Sequence, residues 1–393
     1  MRRYSDQDEE RLHLLRTVKA WTRSGLVGPD QGARLEADLQ VDLRRTGIML
    51  RIGIALFTTL LVGASVALTL VSIRIEREWA IGIVAMFSGG TCFVIADWLV
   101  REFKLYRYGV EEALVISSVA LCAAGSGLIA PSLLHSDGNT VFAIALSTAA
   151  AVSGYAYRRF GLQYAGVAAI VCAAVIPFPF NGISEPIRRS LVALIFLASA
   201  AVAAAMAART LREVRRDDAF MLRAAAVVGL YLALNLEISA VPFGTYSPTL
   251  EGWFKWTTYA LIWIIPALAL WRGVATRERK LMIAGLGLAL ATLITNKPYL
   301  GLPRQTWDPM LFGLLLMAVA VVLRRWLASG SGGERRGFTA AQILRGDLDA
   351  IRLAGLAAVA IHLDSDRSAP AQAPSSPQFG GGRSGGGGAG AEF

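Results

Sequence analysis

The sequence predicts an all-α protein: a polytopic transmembrane helix bundle of about ten spans behind a small N-terminal helical hairpin. Three observations predict it. Of 393 residues, 54% are hydrophobic and only 17% charged, with a mean hydropathy of +0.49. A soluble domain carries about a quarter charged residues. Ten apolar stretches have, or approach, the roughly 17–25 residues that a helix needs to cross a bilayer. Lys and Arg gather in alternate loops between those stretches.

The chain opens with 1–51, a cytoplasmic helical hairpin. Ser5 stands as an N-cap with Asp8 three residues on, a capping-box pattern. Leu12, Leu15, Val18 and Trp21 then recur at helical spacing. Gly25 and Gly28 interrupt, Pro29 suits a first helical position, and Leu35 and Leu39 carry a second apolar stripe. So short a hairpin buries little core alone. It must lean on the membrane, on the rest of the protein, or on a cytoplasmic partner bound through 1–46.

Residues 52–326 form the membrane domain, with spans expected at 52–73, 79–100, 110–130, 141–157, 162–180, 190–208, 224–243, 256–271, 281–297 and 309–323. Trp256, Trp271 and Trp326 flank the two shortest and suit the interfaces. With the N-terminus inside, the inner loops hold fourteen Lys/Arg and the outer loops seven, so both termini are expected in the cytoplasm of a bacterial inner membrane. ASAAVAAAMAA (198–208), STAAAVSG (147–154) and AGLGLALA (284–291) let helix backbones approach closely.

The formal charge of +10 does not point to nucleic acid, because its excess lies in short loops between apolar segments. The expected partner is the lipid bilayer. No removable signal peptide is evident, and the first span reads as an uncleaved anchor. After Trp326, ASGSGG links to 338–363, where Leu344, Leu348 and Ile351 share one face of an interfacial or docking helix. Residues 364–393 are Pro/Ser- and then Gly-rich and are expected to be disordered.

Trp21, Gly25-Leu26 and Asp30-Gln31, followed by a Leu-spaced helix and many spans, carry a resemblance. Over roughly 10–60 the chain resembles a bacterial family of predicted inner-membrane proteins of unknown function that begin with a Trp-x-x-x-Gly-(Leu/Ile) helix pair. The resemblance implies the architecture and no activity, cofactor or site residue.

The chemistry the residues suggest is sparse. There is no Walker A loop, HExxH, GxSxG or dinucleotide fingerprint. Cys92, Cys122 and Cys172 lie scattered in apolar segments, and His13, His135 and His362 stand apart, so no metal site or cofactor is expected. Ionisable residues within spans are then the functional candidates, since a charge there is costly unless used or paired. Asp97, Glu111 and Glu112 lie near Arg101 and Lys104 and read as interfacial ion pairs. Glu237 lies about 20 Å into the seventh span at 1.5 Å per residue, with Asn235 two positions before it. Tyr231 and Asn235 share a face, and Glu237 points away from it. Lys297, at the outer end of the ninth span, is at similar depth. Glu237 with Asn235 and Lys297 is therefore either a solute or proton site or a structural Glu237–Lys297 pair.

Three function classes follow. The first is a transporter of a small solute or proton near Glu237, although the two halves show no self-similarity of the kind inverted repeats leave. The second is a membrane scaffold or regulator that recruits partners through its hairpin and tail. The third is an enzyme on a lipid-linked substrate using outer-loop acids such as Asp137, Glu185 or Asp308, of which single examples are mostly just solvated.

Overall fold

The computed structural model describes residues 4–135, 137–180, 182–210, 212–238, 252–300, 302, 305, 307–330, 334–335 and 338–339. Helix dominates them. Helix α1 is Asp6–Ser24 and α2 is Pro29–Asp38. Ser5 takes the extended N-cap conformation, yet its side chain makes no capping bond, so the expected box is not formed. Gly25 ends α1 in the left-handed region at φ 76°, which favours glycine, and Pro29 opens α2 at its first turn.

Ten further helices follow: α3 (Ile48–Ile73), α4 (Glu78–Phe103), α5 (Val110–Leu134), α6 (Gly138–Phe160), α7 (Gln163–Val175), α8 (Glu185–Arg209), α9 (Glu213–Leu234), α10 (Trp253–Thr276), α11 (Arg279–Tyr299) and α12 (Asp308–Ala328). Each expected span overlaps one of them. Among the described residues, however, seven helices are both long and apolar enough to cross a membrane: α3, α4, α5, α6, α8, α10 and α11. These make the chain a multi-pass membrane protein by length and composition.

The other three differ for separate reasons. Helix α7 has 13 residues, about 20 Å of rise. The first half of α9 is charged, and the helix stops at Leu234 instead of running on to 243. In α12 only residues 309–323 separate Asp308 from Arg324.

Packing follows helix chemistry. Along α3 most apolar residues are exposed, as on a lipid-facing helix, and only Thr58 is buried. The tightest pair is α4 on α5. A Cβ on Gly82 would lie 2.8 Å from the Gly125 carbonyl oxygen, and one on Gly125 would lie 2.6 Å from the Gly82 carbonyl oxygen. Neither glycine tolerates a side chain there. Of the alanine-rich stretch in α8, Ala200, Ala203 and Ala207 are buried, in keeping with close packing.

The hairpin leans on the bundle. Tyr4 and Leu12 belong to one core with Cys92, Ala96 and Val100 of α4, Leu114 and Val115 of α5, and Ala156 and Phe160 of α6. The linker to α3 is tied in too: Arg44 donates its N–H to the Lys104 carbonyl and accepts from Tyr106 N–H, both at 3.1 Å.

Of the three acids expected in interfacial ion pairs, Asp97 and Glu112 form them with other partners and, among the described residues, Glu111 does not. Asp97 binds Arg159, with Nε–Oδ1 at 2.8 Å and Nη2–Oδ2 at 3.1 Å. Glu112 takes Arg51 in a fork, and Lys104 goes to Asp42. Glu111 accepts from the Tyr108 N–H at 2.6 Å instead of from a cation. Arg101 and Lys104 follow Asp97 closely in sequence, but helix contacts bring Arg159 and Arg51 to these carboxylates from other segments.

From Arg324 the chain forms a second unit. It contains the end of α12 and a two-residue antiparallel pair, Glu334–Arg335 with Phe338–Thr339. Phe338 and Thr339 were expected to open a helix and are extended instead. The rest of 338–363 and the tail expected at 364–393 lie outside the described residues.

Candidate functional site

The site is built around the end of α9. The apolar run from Ala224 continues the helix to Leu234, and Asn235 then leaves it with φ −80° and ψ 102°. Its own N–H still bonds the Tyr231 carbonyl at 2.8 Å. Its Oδ1 accepts the N–H groups of Glu237 and Ile238, each at 3.1 Å, as an N-cap does. Asn235 thus closes one helix and opens a second turn over 236–238. The helix is interrupted inside an apolar run.

The interruption is held by a buried polar network. Asn235 Nδ2 donates to Tyr231 Oη and to Thr295 Oγ1, both at 3.0 Å. Tyr231 Oη lies 2.9 Å from Thr292 Oγ1, which in turn reaches the Ile262 carbonyl at 2.8 Å. Tyr259 donates to Asn296 Oδ1 at 2.7 Å, and Thr258 bonds Tyr299. Three helices, α9, α10 and α11, therefore share one set of hydroxyls and amides. Asn235 is fully buried, and both ends of its amide are satisfied, as burial demands.

Tyr231 and Asn235 do share a face. Glu237 is half-buried, and its carboxylate has no hydrogen bond or ion pair among the described residues. Lys297 pairs with Asp308, with its ammonium 5.0 Å from the centre of the Trp307 ring. The Glu237–Lys297 pair is therefore replaced by Lys297–Asp308, because the turn after α11 brings an acid from the start of α12 to the lysine.

Arg189 is the cation at the break that the sequence reading did not single out. It is buried, its Nε donates to Glu185 Oε1 at 2.8 Å, and its Nη1 donates to the Ala233 carbonyl at 3.3 Å. Asn235 has taken the Glu237 N–H that would have bonded that carbonyl in a continuous helix. The remaining network also escaped notice, although Thr292, Thr295 and Asn296 stand at positions i, i+3 and i+4 of α11. That spacing puts them on one face.

A cavity of about 710 Å³ runs beside α9. Its walls are apolar, from Val171 of α7, Val192 and Phe196 of α8, Val228 of α9 and Ile283 of α11. Arg189, Ala233 and Ile238 stand at the break end and Lys280 at the other. The volume lies within the range of ligand pockets.

The loop acids do local work. Asp137 caps α6 by accepting from Thr140 N–H at 3.2 Å, and bonds from Thr140 hold its carboxyl below the usual range. Glu185 serves Arg188 and Arg189, and Asp308 serves Lys297. Among the described residues no group of His, Cys, Asp and Glu could hold a metal ion. Comparison with family models, curated proteins and solved structures finds no match.

Proposed function

We infer that the chain is a multi-pass protein of a bacterial inner membrane, with both ends cytoplasmic, that moves a small solute or a proton past the interruption in α9. One observation carries the transport reading: a half-buried carboxylate, Glu237, with no partner among the described residues, follows a helix break lined by Tyr231, Thr295 and Asn235. Interrupted membrane helices expose backbone dipoles at membrane depth, and transporters place substrate and ion sites there. The loop bias of fourteen to seven and the resemblance of residues 10–60 support the orientation and the membrane.

Proteoliposomes enclosing a pH-sensitive dye test the reading. After an external acid step the wild type acidifies the lumen, and Glu237→Gln, which keeps size and polarity, abolishes that flux with an unchanged melting temperature. Equal flux from the two proteins removes Glu237 from the path.

The scaffold reading has its own support. The inner face of α1 is spent on the bundle, but Leu14, Trp21, Leu26 and Leu35 of the hairpin are exposed. A photo-crosslinker at Leu35 that yields one discrete adduct in cells favours partner recruitment, and the absence of any adduct opposes it.

A further inference from the structure

At the hairpin end of the bundle lies a polar cavity of about 480 Å³, lined by Arg16, Leu43, Arg45, Thr46, Arg51, Tyr106 and Arg107. Four guanidinium groups border it and no carboxylate does. Each comes from a different segment: α1, the α2–α3 linker, the first turn of α3 and the α4–α5 loop. Such convergence concentrates positive potential in the cavity.

The backbone that presents these groups is locked. The Arg44 bridge to Lys104 and Tyr106 ties the linker that carries Arg45 to the loop that carries Arg107, and Thr46 Oγ1 donates to the Tyr108 carbonyl at 3.0 Å. Arg107 sits in the left-handed region at φ 52°, which a residue without a glycine's freedom adopts only when its surroundings enforce it. Gly109, at φ 115°, lies so close to α3 that a Cβ would stand 2.5 Å from the Arg51 carbonyl oxygen.

Charge compensation is incomplete. Arg51 is neutralised by Glu112. Arg16, Arg45 and Arg107 have no side-chain hydrogen bond or ion pair among the described residues, although Arg107 stacks 5.6 Å from the centre of the Tyr106 ring. Glu9, Asp217 and Asp218 border a smaller cavity of about 130 Å³ that shares Arg16, Tyr106 and Arg107. Asp217 is committed to Lys280 at 2.7 Å, and Asp218 accepts from Gln163 at 2.7 Å. Glu9 is buried on the α1 side.

We propose that Arg16, Arg45 and Arg107 form a binding site for a phosphate-bearing anion with two or more negative charges, held at the hairpin end of the spans. Planar guanidinium forks match phosphate oxygens in pairs, and three guanidinium groups without an ion pair among the described residues suit an anion of more than one charge. The same chemistry is offered by a phosphomonoester lipid headgroup in the adjoining leaflet and by a soluble pyrophosphate group. The site is separate from Glu237 and stands whether or not transport occurs there.

The test uses the purified full-length protein and three substitution sets. Inorganic pyrophosphate, against sodium sulfate at equal ionic strength, probes the soluble source. Nanodiscs of phosphatidylcholine with and without phosphatidic acid probe the lipid source. One of the two probes raises the melting temperature of the wild type, and which one does so identifies the source. Arg45→Gln with Arg107→Gln weakens the affinity read from the concentration dependence of that response about tenfold or more, since charge-assisted hydrogen bonds each contribute roughly that factor. Arg16→Gln, on an exposed face of α1, weakens it as well and serves if the double variant does not fold. Arg101→Gln with Arg158→Gln removes the same charge elsewhere at that end and leaves the response intact. Failure of both probes to stabilise the wild type overturns the proposal, and so does an equal loss in the Arg101/Arg158 control.

Discussion

Arg189 donates to the Ala233 carbonyl at 3.3 Å, the carbonyl that α9 leaves open when Asn235 captures the Glu237 N–H at 3.1 Å. One buried guanidinium and one buried amide thus satisfy the two sides of a single helix break. A cation at a helix C-terminus is also the favourable sign for the helix dipole. The break is maintained by side chains on α8, α9 and α11.

Asn235→Ala removes both acceptor and donor. It leaves the part-buried Glu237 and Ile238 N–H groups without their acceptor, while Tyr231 keeps Thr292 and Thr295 keeps the Ala291 carbonyl. A loss of about 1–3 kcal/mol is expected for each group left unsatisfied, reduced if α9 straightens into a continuous helix. Thermal unfolding in detergent measures the loss. Hydrogen exchange at Glu237 and Ile238 reports whether the turn at 236–238 survives. An unchanged melting temperature would mean that water or a backbone shift replaces the amide.

Glu237→Gln with Lys297→Met should give melting shifts that are close to additive. Lys297 answers to Asp308, so Lys297→Met strands that acid whatever stands at 237. The coupled pair is Lys297 with Asp308. Asp308→Asn should recover part of the stability lost in Lys297→Met, because removing the second partner relieves an uncompensated charge. Strong coupling of Lys297 to Glu237 would contradict the assignment.

Deleting residues 1–40 should leave a chain that inserts but melts at lower temperature. The deletion strips Tyr4 and Leu12 from a core shared with α4, α5 and α6. Leu12→Ala alone is expected to cost about 2–5 kcal/mol, as for other buried Leu→Ala changes. An unaltered melting temperature in either variant would show that the hairpin does not support the bundle.

Tyr4 sets a pH limit on that same contact. Burial, and then the nearby Glu111 charge, push its phenol well above the usual tyrosine range. Its folded pKa exceeds the unfolded value, so the folded state binds the proton more tightly. That contribution is complete below about pH 10 and is lost as the pH rises beyond it. Limited proteolysis within 1–40 should therefore accelerate above about pH 10 in the wild type and show a weaker alkaline rise in Tyr4→Phe. Identical pH profiles would separate the hairpin's docking from Tyr4.

Topology reporters test the orientation. A fusion after Leu134 should report the periplasm and one after Ala328 the cytoplasm. A periplasmic signal at Ala328 would mean that α7, α9 or α12 fails to cross as a full span.

The sequence by itself determined the helices and their general setting. Apolar stretches of membrane length must satisfy their backbone internally, so composition and length suffice to predict helices over 52–73, 79–100 or 190–208. The end of α1 at Gly25 and the start of α2 at Pro29 were likewise local, because each depends on the torsions of one residue. Tertiary structure decided which charges pair and where a helix stops. Asp97 lies nearer in sequence to Arg101, yet its partner is Arg159, 62 positions away, because α4 and α6 share a core at that level. The break at Asn235 was hidden for a related reason. Hydropathy averages over an apolar run, whereas the cap is stabilised by Tyr231 one turn back, Thr295 60 positions on and Arg189 across the bundle. A helix break inside a membrane is stable only when its freed backbone groups find partners, and those partners come from neighbouring helices that packing alone brings together.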